Sequence, residues 1–315
     1  MNLSQALEIA SCTDPGIVRS HNEDSIAADA ASGMATTVIT TELQHLLEER
    51  PAHSTDPATG RSRADGLLRE QIAKANTSIY QAAQSQPQYA GMGTTLVAAM
   101  FHDNKVTVAH IGDSRLYRLR GEDFAQITRD HSLLQEQIDS GMITPEQAKF
   151  SQNKNLVTRA LGIDATVEPE LHEYDTRVGD IYLLCSDGLN DMVSDEDIGM
   201  TLQTLAANLQ LAAQQLVQMA NDNGGRDNVS VILVRIARDY AGDRHHPQRL
   251  VPRGSRLHQR HAGERAADQE TLPAEQRRRR ARQVQAQVRQ RAAGARRRAG
   301  RLREDHGDPA RPDAE

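Results

Sequence analysis

The sequence predicts an α+β protein, and two observations carry that prediction. Short apolar runs separated by turn signals fill the middle of the chain, as antiparallel strands and hairpins require. Longer segments with apolar residues at helical spacing stand before and after them. At 315 residues the chain is long enough for one large domain or two smaller ones.

The elements follow in order. Leu7 to Thr13 alternates as a strand and meets a turn at Asp14-Pro15-Gly16. Gly33 to Glu49 is helical, with Met34, Val38, Leu43, Leu46 and Leu47 as its apolar positions. Arg50 to Gly66 carries Pro51, Pro57 and Gly60 and is expected to be a loop. Leu67 to Gln84 is a second amphipathic helix through Leu68, Ile72, Ala75 and Ile79. Thr95 to Phe101, the turn Asp103-Asn104 and Lys105 to Ile111 form a hairpin. Gly112 to Arg115 turns tightly into Leu116 to Leu119, and Arg120-Gly121-Glu122-Asp123 turns again. Asp130-His131-Ser132 and Ser194-Asp-Glu-Asp197 carry N-cap signatures, and His131 is expected to be a fold-stabilising neighbour of its cap rather than an acid. Val167 to Tyr174, Ile181 to Cys185 and Val229 to Ile236 are strands, with a helix at Leu209 to Asn221 between the last two.

Two of these strands adjoin carboxylates beside glycines. Ile181 to Cys185 runs into Ser186-Asp187-Gly188, and Gly224-Gly225-Arg226-Asp227-Asn228 precedes Val229. A rigid strand aims an Asp at a fixed point, so Asp187 and Asp227 are candidates to share a hard cation. Taken singly, Asp-Gly and Gly-Gly are also ordinary turn signals.

Five motifs occur in order: Arg19-Ser-His-Asn22-Glu23-Asp24, Gly91-Met-Gly93-Thr94-Thr95, Ile111-Gly112-Asp113-Ser114-Arg115, Cys185-Ser-Asp187-Gly188 and Gly225-Arg-Asp227-Asn228. Over about residues 5 to 238 the chain resembles the bacterial branch of the metal-dependent protein phosphatases, the type 2C serine/threonine phosphatases. The resemblance implies a two-sheet antiparallel β-sandwich flanked by pairs of antiparallel helices. It implies two or three Mn²⁺ or Mg²⁺ ions at one end, and a metal-activated water that attacks a phosphoserine or phosphothreonine. It assigns phosphate binding to Arg19, metal binding to Asp187, Asp227 and Asp24, water-mediated metal contact to Glu23, and a looser third metal to Asp113. A guanidinium fits the first role because its fork matches phosphate oxygens. Gly141 to Lys149 resembles the mobile flap of the bacterial members.

One expected motif has no counterpart. After Asp24 the family continues with a strand ending in Asp-Gly-x-Gly-Gly, whose Asp bridges two metals. Here Ser25 to Ser32 runs straight into the first helix, and Asp29 lacks an adjacent Gly. One core strand is therefore expected to be missing and fewer ions to be held. The competing function is a catalytically dead relative that binds phosphoproteins.

Charge divides the chain. Residues 241–315 hold 19 Arg, no Lys and 10 acidic residues, a net of +9, which leaves 18 basic and 33 acidic residues, a net of −15, in 1–240. The domains expected are a phosphatase-like catalytic domain at 1–240 and a disordered Arg-rich tail at 241–315. The tail is either a basic arm or the product of a shifted reading frame. It has no aromatic side chain to stack on bases, so specific nucleic-acid recognition is not expected. Two cysteines, no apolar stretch of spanning length and no leader pattern predict a soluble cytoplasmic protein. The resemblance implies a monomer whose partners are phosphorylated proteins, substrates of a serine/threonine kinase.

Overall fold

The computed structural model describes residues 6–19, 22, 24, 30–49, 62–148, 151 and 156–240. Readings that fall on Glu23, Asp29 and the tail 241–315 lie outside the described residues.

The described strands are β1 (Leu7–Asp14), β2 (Leu96–His102), β3 (Lys105–Ile111), β4 (Arg115–Arg120), β5 (Asp123–Gln126), β6 (Glu170–Asp175), β7 (Ile181–Cys185) and β8 (Val229–Ile236). The helices are α1 (Ala30–Glu49), α2 (Arg63–Ser85), α3 (Leu133–Asp139), α4 (Pro145–Ala148), α5 (Asp187–Asn190), α6 (Asp195–Leu205) and α7 (Leu209–Asp222). One sheet has the order β1-β8-β7-β4-β5 and the other β2-β3-β6, with every described pairing antiparallel.

The two sheets face each other. Val106 and Val108 of β3 meet Leu116 of β4, Tyr182 and Leu184 of β7 and Val234 and Ile236 of β8 in one apolar cluster. Helices cover the outer faces. Ala31, Ala35 and Ile39 of α1 and Leu68, Ile72, Ala75 and Ile79 of α2 pack on Ala109 and Ile111. On the other side α7 lies against β1 and β8, with Leu209, Ala212, Leu216 and Ala220 buried. This is the helix-clad antiparallel sandwich expected from the resemblance.

Local chemistry fixes the tight connections. Asp103 and Asn104 take φ of 46° and 56°, the left-handed pair that a two-residue hairpin requires and that Asn and Asp tolerate. The Ser132 and Ser194 hydroxyls accept hydrogen bonds from the N–H groups of Gln135 and Asp197, as cap residues do.

Several boundaries differ from expectation. α2 starts earlier than expected, at Arg63, because Ser62 accepts from the Asp65 N–H as its cap; the loop expected from Arg50 lies outside the described residues up to residue 61. The strand expected from Val167 begins only at Glu170, where pairing with β3 begins. α1 starts at Ala30, and its fully buried stripe is Ala31, Ala35 and Ile39, with Met34, Val38 and Leu43 at the margin.

Candidate metal centre

Asp187 is the first residue of α5, directly after β7. A Cβ on Gly188 would lie 2.0 Å from the Asn228 carbonyl oxygen. The glycine is therefore required by a close backbone approach and not by a left-handed turn, which corrects the simpler reading of Asp-Gly. That approach sets the end of β7 against the start of β8, and with it Asp187 near Asp227.

The Asp227 loop is also tied to the end of β1. Gly16 (φ 79°) and Gly225 (φ 48°) take conformations that favour glycine. The Ile17 N–H donates to the Gly225 carbonyl at 2.8 Å, and the Asn228 side-chain amide donates to the Pro15 carbonyl at 2.9 Å. This clasp brings Arg19 to Asp227, with Nη2 at 2.9 Å from Oδ2. The guanidinium is 47% exposed and stands on the rim.

Asp24 enters from the same side. Its Oδ2 accepts a 2.7 Å hydrogen bond from the Ser186 hydroxyl, whose oxygen accepts from the Ser230 N–H at 3.0 Å. Asp113 follows Gly112 in the β3–β4 turn and is nearly buried. A Cβ on Gly112 (φ 101°) would lie 2.3 Å from the Thr95 side chain, so only glycine fits there. Arg115 does not reach toward the centre. It grips Asp130 through Nε at 2.9 Å and Nη2 at 2.6 Å, and its Nη1 donates to the Tyr117 hydroxyl.

Electrostatics show what the arrangement concentrates. Burial, then the charges of Asp113, Asp191, Asp227 and Asp24, push the Asp187 carboxyl up to about 7. Burial foremost also raises the Asp113 carboxyl, with Asp130 and Asp191 adding to the rise. Carboxylates arranged this way repel one another unless a cation lies among them. The donor set is all oxygen, which suits a hard divalent ion. Asp187, Asp227, Asp24 and Asp113 thus fall at one end of the sandwich. Sequence reasoning missed Asp191. Its signal was its spacing, one helical turn after Asp187, at the C-cap of α5.

A second cluster has a different character. His110, His131 and Glu170 offer ligand atoms within 4.8 Å of one another. Their geometry does not suit a metal. The His110 and His131 rings are stacked, with centroids 4.7 Å apart and planes 19° apart, so their in-plane lone pairs do not converge. His131 Nδ1 accepts the Gly112 N–H at 3.2 Å, leaving Nε2 to donate to Glu170 Oε2 at 3.3 Å. The His131 N–H donates to the Gly112 carbonyl at 2.9 Å. Burial lowers the His131 pKa and keeps the ring neutral. His131 therefore holds the turn that carries Asp113, a structural role.

Fold and site define a helix-clad antiparallel sandwich protein in which the charges of Asp113, Asp191, Asp227 and Asp24 all act on Asp187 at the end of β7. The chain belongs to the family described as Protein phosphatase 2C, whose profile matches residues 20–229. It is 38% identical over 239 residues to the serine/threonine protein phosphatase PstP of Mycobacterium tuberculosis, covering 74% of this chain and 46% of that protein. The chain thus spans less than half the length of that relative. It is 34% identical over 235 residues to the serine/threonine phosphatase stp of Listeria welshimeri, covering 70% of this chain and 93% of that one. The crystal structure of the PstP catalytic domain with two manganese ions superposes with a TM-score of 0.61 at 36% identity, covering 73% of this chain and 97% of that one. The phosphatase Stp1 from Staphylococcus aureus gives 0.64 at 33% identity, covering 73% and 95%.

Proposed function

We propose that this protein hydrolyses phosphoserine and phosphothreonine in proteins, using divalent metal ions held at the carboxylate centre. The observation that carries the reading is the set of four carboxylates whose charges all act on Asp187. Asp187, Asp227, Asp113 and Asp191 would hold Mn²⁺ or Mg²⁺, with Asp24 beside them and Glu23 assigned through water by the resemblance. The ions would lower the pKa of water and neutralise charge on the phosphoryl group. Arg19 stands beside Asp227 with its guanidinium open to solvent, placed to take phosphate oxygens as a fork and orient the phosphorus. Asp24, fixed by the Ser186 hydroxyl, presents a carboxylate acceptor next to the centre.

The partners proposed are phosphoproteins made by a serine/threonine kinase. The reading takes the chain as a monomer acting in the cytoplasm; Cys12 and Cys185 are free thiols, and no described helix is long and apolar enough to cross a membrane. The test is Mn²⁺-dependent turnover of p-nitrophenyl phosphate and of a phosphothreonine peptide. The activity should vanish in Asp187→Ala and Asp227→Ala, and both should lose most Mn²⁺ affinity by calorimetry. Binding of the phosphopeptide without turnover would assign the chain as a phosphoprotein-binding module instead. The absent Asp-Gly-x-Gly-Gly segment predicts slower turnover than in a version with that strand inserted after Asp24. Equal rates from the two proteins would remove the idea of impairment.

A further inference from the structure

The turn that carries Asp113 is held on both sides of a glycine by one residue. Gly112 takes φ of 101°, in a region through which glycine rotates at little cost. His131 Nδ1 accepts the Gly112 N–H at 3.2 Å, and the His131 N–H donates to the Gly112 carbonyl at 2.9 Å. The two peptide planes that flank the Gly112 Cα are thus both pinned, one by the His131 ring and one by the His131 backbone. The ring bond restrains the rotation that glycine would otherwise allow, and with it the direction in which Asp113 leaves the turn.

That restraint depends on which ring nitrogen carries the proton. Nδ1 accepts only when bare, so the neutral ring must carry its proton on Nε2. With the proton on Nδ1, two N–H donors would face each other across the turn. The partner of Nε2 settles the choice. It is Glu170 Oε2, at 3.3 Å. Glu170 opens β6 and lies directly across from His110 in the β3–β6 ladder, while the His131 ring stacks on that of His110 with centroids 4.7 Å apart. The other Glu170 oxygen accepts from His172 Nε2 at 2.9 Å. Burial raises the Glu170 carboxyl, and the bonds from His172 and His131 outweigh it and hold the pKa below the usual range. Glu170 is therefore ionised and accepts only, so the ring nitrogen that faces it must be a donor. His110 does not compete for His131, because its Nε2 donates to the Arg129 carbonyl at 2.8 Å.

We propose that Glu170 is a positioning residue for the ion held at Asp113: it keeps His131 in the Nε2–H tautomer, and that tautomer holds the Gly112-Asp113 turn. The inference rests on the metal-dependent reading above and adds to it a residue that touches neither ion nor substrate. A carboxylate that only tied β6 to its neighbours would contribute stability and leave metal affinity alone. A carboxylate that orients the support of a ligand contributes affinity, as the groups behind metal ligands do. The two roles separate on whether the effect of Glu170 needs Asp113.

The test uses the full-length chain and Mn²⁺ alone. Glu170→Leu removes the acceptor. Glu170→Gln keeps an oxygen for His131 and turns its NH₂ to His172, which is 53% exposed and can present a bare nitrogen. If Glu170→Leu does not fold, Glu170→Thr replaces it, a strand-forming residue too short to reach the ring. In calorimetry, the part of Mn²⁺ binding that is lost in Asp113→Ala should weaken about tenfold in Glu170→Leu and stay within about twofold of the parent in Glu170→Gln. Added to Asp113→Ala, Glu170→Leu should change Mn²⁺ binding no further, while its shift in Tm persists. Nitrogen NMR at neutral pH should find His131 Nδ1 bare and Nε2 protonated in the parent and in Glu170→Gln, and a mixture of tautomers in Glu170→Leu. The proposal is overturned by a protonated Nδ1 in the parent, by Mn²⁺ affinity in Glu170→Leu equal to that of the parent, by equal weakening in Glu170→Gln and Glu170→Leu, by an effect on Mn²⁺ that persists without Asp113, or by identical Mn²⁺ binding in the parent and Asp113→Ala. Turnover of p-nitrophenyl phosphate is measured separately. A parent that binds Mn²⁺ through Asp113 and hydrolyses nothing fails as a phosphatase and leaves the role of Glu170 standing.

Discussion

Replacing Asp187 by Asn should stabilise the metal-free protein at pH 8 while removing its response to Mn²⁺. Burial and four neighbouring carboxylates raise the Asp187 carboxyl from 3.8 to about 7. A carboxyl whose folded pKa lies above its unfolded value binds more protons folded than unfolded. Stability is therefore lost as pH rises through that window, and the loss is complete above about 7. About three pKa units correspond to about 4 kcal/mol at about 1.36 kcal/mol per unit. Asp187 is partly exposed, so solvent screening reduces this to about 2 kcal/mol. In a domain of this size that is a rise in Tm of about 4–8 °C. The assay is scanning calorimetry of both proteins in EDTA between pH 4 and 8. Asp187→Asn should melt above the parent at pH 8, and the gap should close as pH falls toward 4. His131 works with the opposite sign. Its lowered pKa gives stability above the ordinary His range that is lost on acidification, but it contributes equally to both proteins and cancels in the difference. With Mn²⁺ the order should reverse, because the parent gains from binding and the variant does not. A gap that stays constant with pH, or a variant that melts lower in EDTA at pH 8, would refute the argument that like charge is concentrated at Asp187.

Three further outcomes follow from the packing. Gly188→Ala puts a methyl 2.0 Å from a backbone oxygen, so it should lose about 3 kcal/mol by urea denaturation; an unchanged midpoint would mean that the β7–β8 approach is looser than described. Ser186→Ala removes the hydroxyl that holds Asp24 and should weaken Mn²⁺ binding by about tenfold to a hundredfold, with Ser186→Thr restoring most of it; affinity within twofold of the parent in calorimetry would discard the positioning role. Deleting residues 241–315 should leave Tm within a degree or two, whereas Tyr240→Ala should lower stability by about 3 kcal/mol or more, because Tyr240 is buried and its hydroxyl donates to the Lys105 carbonyl at 2.9 Å; a large fall in Tm on deletion would show that the tail is packed.

The sequence by itself determined what depends on near neighbours. The Asp103-Asn104 hairpin, the Ser132 and Ser194 caps and the strand-end placement of Asp187 and Asp227 are set within a few residues, where periodicity and turn chemistry act. The ordered motifs added the family. Only the tertiary structure decided the pairings across the chain. Arg19 meets Asp227 from 208 residues away and Ser186 meets Asp24 from 162. The charge of Asp191 acts on Asp187 and Asp113 only because the turn of α5 and the β3–β4 turn are brought together. Gly188 looked like a turn residue and proved to be a point of backbone contact. The same limit holds for β2, whose sequence is that of a central strand and which among the described strands pairs only with β3. Local propensity specifies how a segment is shaped and which faces it buries. It carries no information about which neighbour lies alongside, because that is settled by the long-range packing of the two sheets and their helices.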